Sequence, residues 1–218
     1  MAPTAEAAMF LTLRLRMVDL QLRARGIGDE RVLDAMSRVP RHEFTASRYR
    51  DQAYEDYPLP IGEGQTISQP YIVALMLEAL ALAPADRVLE IGTGSGYVTA
   101  LLAELAAQVV SVERCTALAD DAGNLLTHLG CSNVKVIVGD GSQGFPASAP
   151  YDAIIVSAAA PEVPPALLAQ LAEGGRMIIP IGSFDTQQLQ LIHIRNGQPQ
   201  TELRELCRFV PLVTGSES

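Results

Sequence analysis

The ten residues from Val88 to Tyr97 constrain the fold of this chain more than any other stretch. A short apolar run leads into alternating glycines at positions 92, 94 and 96, and a segment rich in leucine and alanine follows. This order predicts a β-strand, a tight glycine turn and an α-helix, the first unit of a parallel α/β sheet. Glycine suits such a turn because it accepts positive φ and has no Cβ that would keep a ligand away from the backbone.

The spacing of these glycines indicates which ligand the turn binds. A dinucleotide-binding turn reads Gly-x-Gly-x-x-Gly and would have its third glycine at position 97, where this chain has Tyr97. Glu90, just before the turn, would repel a pyrophosphate and attract a cation. Glu113 ends a second apolar run about 20 residues past Gly92, the position from which a carboxylate binds ribose hydroxyls. These residues predict a nucleoside ligand with positive charge and no phosphate, and S-adenosylmethionine is the candidate.

From residue 87 onward the sequence alternates between strand and helix patterns. The predicted strands are Arg87–Ile91, Gln108–Glu113, Val134–Val138, Tyr151–Val156 and Arg176–Ile181, and the predicted helices are Ser95–Ala106, Thr116–Leu129 and Ala166–Ala172. Gly174 and Gly175 are predicted to end the last helix. A period-two pattern over 188–195 then meets Asn196-Gly197, a hairpin turn signal, before 202–210. The fold class is therefore α/β, a doubly wound, mostly parallel sheet with a C-terminal hairpin.

The segment before this alternation predicts helices followed by a long loop. Ala5–Arg25 and a short helix capped by Asp29 carry the pattern of helices that pack on a larger domain. Val39–Gly64 holds prolines, glycines and three tyrosines, and loops of this length in compact domains are often functional. We expect one domain over all 218 residues, in which 1–64 form the N-terminal helices and substrate loop and 65–218 form the core and hairpin.

Two further turns carry polar residues that fit either a structural or a binding role. Pro70 suits the first turn of a helix predicted over Tyr71–Leu82, so Ser68 or Gln69 is expected near its N-cap, and Ser68 can be simply a capping residue. Asp140 and Gly141 follow the third strand, at the sheet edge where ligands of open α/β sheets bind. The aspartate can accept from an adenine amino group there, or it can belong to an ordinary Asp-Gly turn.

Composition and charge disfavour several classes of function. The formal net charge of −9 leaves no basic surplus for nucleic acid or an anionic membrane. Three widely spaced cysteines, an odd number, indicate a reducing, cytoplasmic compartment. We find neither a signal-peptide pattern nor the run of about 20 apolar residues that a membrane helix requires. The three histidines, His42, His128 and His193, lack metal-ligand spacing, so no metal site is predicted.

Several blocks between residues 39 and 212 share the pattern of one enzyme family. The glycine turn resembles the first motif of class I S-adenosylmethionine-dependent methyltransferases. The segment Pro58–Tyr71, which contains Gln-Thr-Ile-Ser-Gln-Pro, is far more specific. The other matching blocks are Val39–Phe44, Val138–Gly141, Tyr151–Pro161 and Arg208–Leu212. Together they resemble the protein-L-isoaspartate O-methyltransferase family.

The resemblance implies a fold and an activity. The fold would be a Rossmann-like sheet of seven strands with an antiparallel last hairpin strand. The activity would be methyl transfer from S-adenosyl-L-methionine to the free carboxylate of L-isoaspartyl residues in damaged proteins, with S-adenosyl-L-homocysteine as product. The ester then promotes a succinimide, whose hydrolysis returns part of the chain to normal aspartate. The expected partners are isoaspartyl-containing proteins or peptides, and we expect a cytoplasmic monomer.

The resemblance also implies site residues. Ser68 is the expected catalytic residue, Glu113 and Asp140 would hold the ribose and adenine, and Gly92 and Gly94 would lie along the methionine part. The full expected cofactor-binding set is Gln65, Thr66, Ile67, Ser68, Glu90, Gly92, Thr93, Gly94, Glu113, Arg114, Asp140, Gly141 and Thr214. The expected substrate-binding residues are Ile61, Gly62, Val210, Pro211 and Leu212.

Two residues depart from the family pattern. Glu63 stands in Gly-Glu-Gly where the family often has Gly-His-Gly, and Ser157 stands where the family often has threonine. Glu63 adds negative charge near a pocket that must accept a carboxylate, so it bears on substrate choice. Ser157 keeps a hydroxyl group.

Three alternatives remain open at this stage. A peptide-tailoring methyltransferase that esterifies aspartate in a dedicated precursor peptide would share the same motifs. A non-catalytic S-adenosylmethionine-binding module is a different class, and the intact Ser68, Glu113 and Asp140 argue against it. An NAD-binding oxidoreductase is disfavoured by Tyr97 in place of the third glycine.

Overall fold

The helices lie mainly where the sequence pattern predicts them. The computed structural model describes residues 4–183 and 185–215. Its α-helices are α1 (Ala5–Met17), α2 (Glu30–Arg38), α3 (Pro70–Leu80), α4 (Tyr97–Leu105), α5 (Thr116–His128) and α6 (Pro165–Leu168). A π-helical turn and a 3₁₀ turn extend α1 to Arg25, and Gly26 ends it with φ 99°. The predicted Asp29 cap is confirmed, because its carboxylate accepts from the Arg31 and Val32 N–H groups.

Seven strands form the central sheet and two form a separate small sheet. The strands are β1 (Leu59–Gly62), β2 (Gln65–Ile67), β3 (Arg87–Ile91), β4 (Gln108–Glu113), β5 (Val134–Val138), β6 (Tyr151–Val156), β7 (Leu171–Gly182), β8 (Gln187–Arg195) and β9 (Gln198–Cys207). The central order is β5-β4-β3-β6-β7-β8-β9, and the first five of these are parallel. The mostly parallel, seven-stranded fold class is confirmed.

The C-terminal hairpin needs one correction of detail. Strand β8 is antiparallel to β7, and β9 is antiparallel to β8. The edge strand β9 therefore runs parallel to the first five strands again, and the antiparallel member is β8 rather than the last strand. Asn196 and Gly197 form the predicted turn with φ 53° and 71°, the two positive values that a tight primed hairpin turn requires.

The predicted helix Ala166–Ala172 is wrong in its second half. Helix α6 ends at Leu168, and the chain enters β7 at Leu171 beside Tyr151. Gly174 and Gly175 lie inside β7, at an irregularity where the pairing with β6 shifts. A Cβ on Gly175 would lie 2.8 Å from the carbonyl oxygen of Ala172, so these glycines permit a tight bulge rather than end a helix.

The predicted loop Val39–Gly64 is more ordered than its composition indicates. It contains two 3₁₀ helices, Arg41–Phe44 and Ser47–Gln52, and then β1, which pairs with β2 as a hairpin. Glu63 and Gly64 form the tip of this hairpin with positive φ. The hairpin was not predicted, because Pro58, Pro60 and the glycines suggest turns rather than strands.

Side chains from the two faces of the sheet enter two apolar clusters. One face of β3 and β6 contributes Val88 and Ile155 to a cluster shared with α1, α2, α3 and α4. The other face contributes Leu89 and Ile154 to a cluster that includes Leu167 of α6. Strand alternation produces this division, and each fully buried aliphatic side chain contributes about 1.5–3 kcal/mol. In the described residues no helix has the length and apolarity needed to cross a membrane.

Candidate active site

A cavity lies at the carboxyl ends of the parallel strands, where the sequence places its glycine turn. Its volume is about 180 Å³. Of the predicted site residues, those on its wall are Gln65, Thr66, Ile67, Ser68, Gly92, Thr93, Gly94, Glu113, Arg114, Gly141, Val210, Pro211 and Leu212. Five separate parts of the chain therefore converge here: β2 with the β2–α3 connection, the glycine turn, the end of β4, the loop after β5 and the segment after β9.

The glycine turn has the backbone conformation that only glycine adopts readily. Gly92, Gly94 and Gly96 have φ values of 91°, 53° and 86°. Gly96 is the N-cap of α4, and a Cβ there would lie 3.2 Å from the Cβ of Ala122 on α5. The turn can therefore pass close to α5 and still present its main chain to the cavity.

Glu113 joins the end of β4 to the glycine turn. Its Oε2 accepts from the Gly94 N–H at 2.9 Å, and its Oε1 accepts from the Cys115 N–H at 2.9 Å. Each carboxylate oxygen has a second lone pair. The side chain is buried but lies on the cavity wall, so these lone pairs are available to hydroxyl groups of a ligand.

Ser68 lies in the connection between β2 and α3, and its hydroxyl is not used for capping. The N-cap of α3 is Gln69, which makes no side-chain capping bond. Among the described residues the Ser68 hydroxyl has no hydrogen-bond partner, whereas its main-chain carbonyl accepts from Arg41 Nη2 at 2.8 Å. The first turn of α3 is instead capped by Asp56, whose Oδ1 accepts from the Tyr71 N–H at 3.1 Å. Of the two residues predicted near this cap, Gln69 is therefore the N-cap and Ser68 is not.

Asp140 is held by the loop that it begins. Its Oδ1 accepts from the Ser142 N–H and hydroxyl at 2.9 and 2.7 Å, and its Oδ2 accepts from the Gly215 N–H at 2.7 Å. Burial raises the pKa of Asp140, but these hydrogen bonds outweigh burial and hold the pKa below its usual value. The residue is therefore an anion that fastens the C-terminal segment, and it does not itself line the cavity.

Glu90 lies in the core beneath the turn rather than on the cavity wall. It is fully buried, and its Oε2 accepts from Thr99 Oγ1 at 2.5 Å and from Ser111 Oγ at 2.7 Å. Burial raises the pKa of Glu90 to about 8, so the carboxyl is mainly protonated at neutral pH. This corrects the expectation that its charge faces the ligand. The hydroxyl of Thr93, on the cavity wall, lies 2.6 Å from Ser111 Oγ and links the turn to this carboxyl.

Some predicted residues lie outside the cavity wall. These are Ile61, Gly62, Glu90, Asp140 and Thr214, and their predicted ligand contacts stay predictions. Ile61 is nevertheless close, because a Cβ on Gly94 would lie 3.4 Å from its Cδ1. Glu63 and Ser157, the two departures from the family pattern, are both on the wall. The described residues contain no group of three His, Cys, Asp or Glu side chains arranged to hold a metal.

The segment after β9 crosses the edge of the sheet and covers one side of the cavity. Ala159 N–H donates to the Val210 carbonyl at 2.8 Å, and Leu212 N–H donates to the Ala159 carbonyl at 2.7 Å. Arg114 Nε donates to the Gly215 carbonyl at 3.1 Å. The segment is thus anchored at both ends of the cavity.

Two residues near the cavity were missed from the sequence. Tyr97 was treated only as a missing glycine, yet it begins α4 and lines the cavity. Arg41 was seen only as part of a matching block, yet its side chain reaches the main chain of Ser68. No periodicity or spacing reveals such a contact, because it joins residues that are distant in sequence and depends on the folded path of the loop.

The chain is similar throughout its length to proteins of one description. A family model described as protein-L-isoaspartate(D-aspartate) O-methyltransferase matches residues 15–217. A protein-L-isoaspartate O-methyltransferase of Koribacter versatilis is 56% identical over 213 residues, which are 98% of this chain and 96% of that protein. One of Methanoculleus marisnigri is 57% identical over 92% of this chain and 91% of its own length.

Two solved structures share the fold over most of the chain. A protein-L-isoaspartate O-methyltransferase structure aligns with a TM-score of 0.83 at 33% identity, over 91% of this chain and 65% of that chain. A candidate protein-L-isoaspartate O-methyltransferase from Plasmodium falciparum, in complex with S-adenosyl-L-homocysteine, aligns with a TM-score of 0.81 at 30% identity. That alignment covers 93% of this chain and 99% of the other.

Proposed function

The chain belongs to the protein-L-isoaspartate(D-aspartate) O-methyltransferase family, and we propose that the cavity at the carboxyl edge of its sheet is the active site. The protein is an S-adenosylmethionine-dependent protein carboxyl O-methyltransferase that methylates L-isoaspartyl residues in damaged proteins, the first step of protein repair. The observation that supports this location is the convergence of Ser68, the glycine turn and Glu113 on one cavity wall.

The residues present fit S-adenosylmethionine. Gly92 and Gly94 expose main chain without a Cβ, and Glu113 keeps lone pairs available at the end of β4, where ribose hydroxyls are expected. Gly141 brings the next loop close, since a Cβ there would lie 2.4 Å from Ile91 Cγ2. We infer that these residues hold the cofactor, with Gln65, Thr66, Ile67, Thr93 and Arg114 around it. When bound, the cofactor supplies a methyl group on a positively charged sulfur.

The acceptor needs orientation rather than a base. A carboxyl group in water has a pKa of about 4, so the isoaspartyl side chain is already an anion at neutral pH. Among the described residues, no histidine lines the cavity. We infer that the Ser68 hydroxyl donates a hydrogen bond to the acceptor and fixes the direction from which its oxygen approaches. Positioning of this kind contributes on the order of 7–11 kcal/mol to catalysis.

The elements around the cavity exclude water. The β1–β2 hairpin brings Glu63, Gln65 and Ile67 to one side, and Val210–Val213 lies on another. Opposite charges on the two substrates neutralise one another during the reaction, so a less polar surrounding favours it. We infer that the peptide bearing the isoaspartate lies between these two elements, in contact with Val210, Pro211, Leu212, Ile61 and Gly62.

A Ser68→Ala variant tests the role of the hydroxyl. We expect kcat for an isoaspartyl peptide to fall by about 100-fold, the usual effect of removing one preorganised donor, with little change in affinity for S-adenosyl-L-homocysteine. The measurement is transfer of labelled methyl groups, with calorimetry for cofactor affinity. Ser47→Ala, at an exposed serine of the same N-terminal region, is the matched control. A wild-type kcat in Ser68→Ala would overturn the proposed role.

Domain organisation, nucleic-acid binding, compartment and oligomeric state are proposed from the composition and the packing of the chain. We propose one methyltransferase domain over 1–218, because the N-terminal helices share an apolar cluster with the sheet. The surplus of acidic residues supports a protein that does not bind nucleic acid. The three cysteines are free thiols, which suits the reducing cytoplasm. A monomer is proposed, because the cavity is formed by a single copy of the chain.

A further inference from the structure

Arg41 is a fully buried arginine close to the active site. It lies in the 3₁₀ helix Arg41–Phe44 and is 0% exposed. Arginine keeps its charge in proteins, and an isolated buried charge is unfavourable unless neighbouring groups compensate it. The groups that surround Arg41 therefore decide how well its charge is compensated.

The hydrogen bonds of Arg41 join the substrate loop to the connection between β2 and α3. Nε donates to the Ala53 carbonyl at 2.7 Å, and Nη2 donates to the Ser68 carbonyl at 2.8 Å. The fork geometry of guanidinium makes both bonds possible from one side chain. Arg41 thus fixes the main chain at the residue whose hydroxyl is proposed to orient the acceptor.

The third neighbour of Arg41 is the ring of Tyr97. The guanidinium carbon lies 4.8 Å from the ring centroid, within the range of a cation–π contact. Tyr97 directly follows the glycine turn and lines the cavity. Through this contact Arg41 also connects Ser68 with the start of α4, so the position of Ser68 relative to Tyr97 depends on one side chain.

Arg41 forms no ion pair with any described residue. The Asp56 carboxylate acts on its charge from beyond ion-pair distance, and Asp56 is itself paired with Arg25. Both Arg41 Nη1 and the Tyr97 hydroxyl are buried without a hydrogen-bond partner among the described residues. Buried donors are normally satisfied, and a role in catalysis is one of the recognised reasons for an exception. The acceptor in this reaction is a carboxylate, and it brings a negative charge that no ion pair of the described residues supplies to Arg41.

We propose that Arg41 is a positioning residue for methyl transfer, which holds Ser68 and Tyr97 in register and whose charge, neutralised by no ion pair of the described residues, favours an anionic acceptor. This inference rests on the proposed function of the cavity and of Ser68. It goes further because it assigns the electrostatic preference for a carboxylate to a residue that does not line the cavity.

Two variants separate geometry from charge. Arg41→Lys keeps the charge, but one ammonium group cannot match the fork that spans the Ala53 and Ser68 carbonyls. We expect its KM for an isoaspartyl peptide to stay near the wild-type value while kcat falls. Arg41→Met removes both properties, so we expect a raised KM and a kcat lower by about 100-fold, the usual result of misplacing reacting groups. The Kd of S-adenosyl-L-homocysteine should stay at the wild-type value in both variants.

Arg48→Met is the matched control. Arg48 is an exposed arginine in the same loop and also lies over a tyrosine ring, 4.9 Å from the centroid of Tyr49. Its kinetic constants should equal those of the wild type. Thermal unfolding of every variant is measured in parallel, and Arg41→Lys alone decides the question if Arg41→Met does not fold.

Two results would overturn the proposal. One is a folded Arg41→Lys with wild-type kcat. The other is a loss of kcat and of S-adenosyl-L-homocysteine binding together, in step with the fall in melting temperature, since that result marks a purely structural arginine. Failure of the proposed function is a separate result: the wild-type protein would then label no isoaspartyl peptide, or Ser68→Ala would retain full activity.

Discussion

At the scale of single residues, two buried ionisable groups support the cavity without lining it. Arg41 supports the acceptor side through the Ser68 carbonyl, and Glu90 supports the glycine turn through Ser111 and Thr93. Neither group has an ion-pair partner in the described part of the chain, and each has one buried polar atom with no hydrogen-bond partner there. The site therefore depends on buried polar groups that lack full hydrogen bonding. The surrounding packing must offset the free-energy cost of burying them.

Glu90 predicts a specific pH dependence of stability. Its pKa is about 8 in the folded protein because burial disfavours the charged form, with Thr99 and Ser111 acting in the opposite direction. Between the unfolded and folded pKa values the folded protein binds more protons, so its stability falls as pH rises from about 5 to about 8. Glu90→Gln cannot titrate, and its free energy of unfolding should therefore decline less over this range. Urea unfolding at a series of pH values measures the difference.

The matched control for this test is Glu205→Gln, at an exposed glutamate of β9. Its unfolding free energy should follow the wild-type pH profile. If the wild-type and Glu90→Gln profiles run parallel across the range, Glu90 does not titrate in the manner described.

The sequence could identify the residues of the cavity but not all of their surroundings. Ser68, Glu113 and the glycines at 92 and 94 were grouped in advance because a local pattern or a family motif marks each of them, and all four line the cavity, while their roles stay predictions. The charge of Glu90 was expected to face the ligand, but the side chain lies in the core beneath the turn. Strand alternation does not tell which side of the strand faces the cavity. Arg41 gave no signal, since its contacts are made across sequence separations of 12 and 27 residues.

At the scale of elements, the substrate loop is fastened to the N-terminus of α3. Asp56 accepts from the Tyr71 N–H and from Gln69 Nε2, and it pairs with Arg25 from the end of the first helical segment. Arg25 in turn lies over the Tyr71 ring, 3.5 Å from its centroid. One carboxylate thus ties together the loop, α3 and the N-terminal helix, next to the residues that carry the chemistry.

Asp56→Ala tests the importance of this connection. It removes an N-terminal cap and leaves the Tyr71 N–H without its partner, so we expect a loss of about 1–2 kcal/mol in the free energy of unfolding. Urea unfolding of the variant gives the value. Asp51→Ala changes an exposed aspartate of the same loop and should be neutral. Equal stability of the two variants would show that Asp56 does not act as a cap.

Strand boundaries were predictable where a strand leaves a continuous apolar run. They were less predictable at β7, where two glycines form a bulge inside the strand. The bounds of β3, β4 and β6 agree with the apolar runs, because strands covered on both faces leave that continuous pattern. The bounds of β5, a partly exposed edge strand, also agree with its apolar run. The start of β7 was missed because Gly174 and Gly175 look like a helix stop, and their bulge follows from pairing with β6. Pairing of β1 with β2 depends equally on contacts that local composition does not encode.

At the scale of the whole molecule, distant parts of the chain meet at one edge of the sheet. The β1–β2 hairpin comes from the N-terminal part of the chain and Val210–Val213 from the C-terminal end, while the parallel strands between them carry the cofactor side. Asp140 and Arg114 fasten the C-terminal segment through Gly215. The acceptor and cofactor sides are therefore built on one rigid scaffold, which suits a reaction that depends on alignment rather than on acid–base chemistry.

The most direct test of the account is methyl transfer from labelled S-adenosylmethionine to two peptides that differ only in an isoaspartyl or a normal aspartyl linkage. Both peptides offer an ionised carboxylate, so a difference between them reports the geometry of the site. We predict label in the isoaspartyl peptide and none in the aspartyl peptide. Equal labelling of both peptides, or labelling of neither by a protein that still binds S-adenosyl-L-homocysteine, would contradict the account.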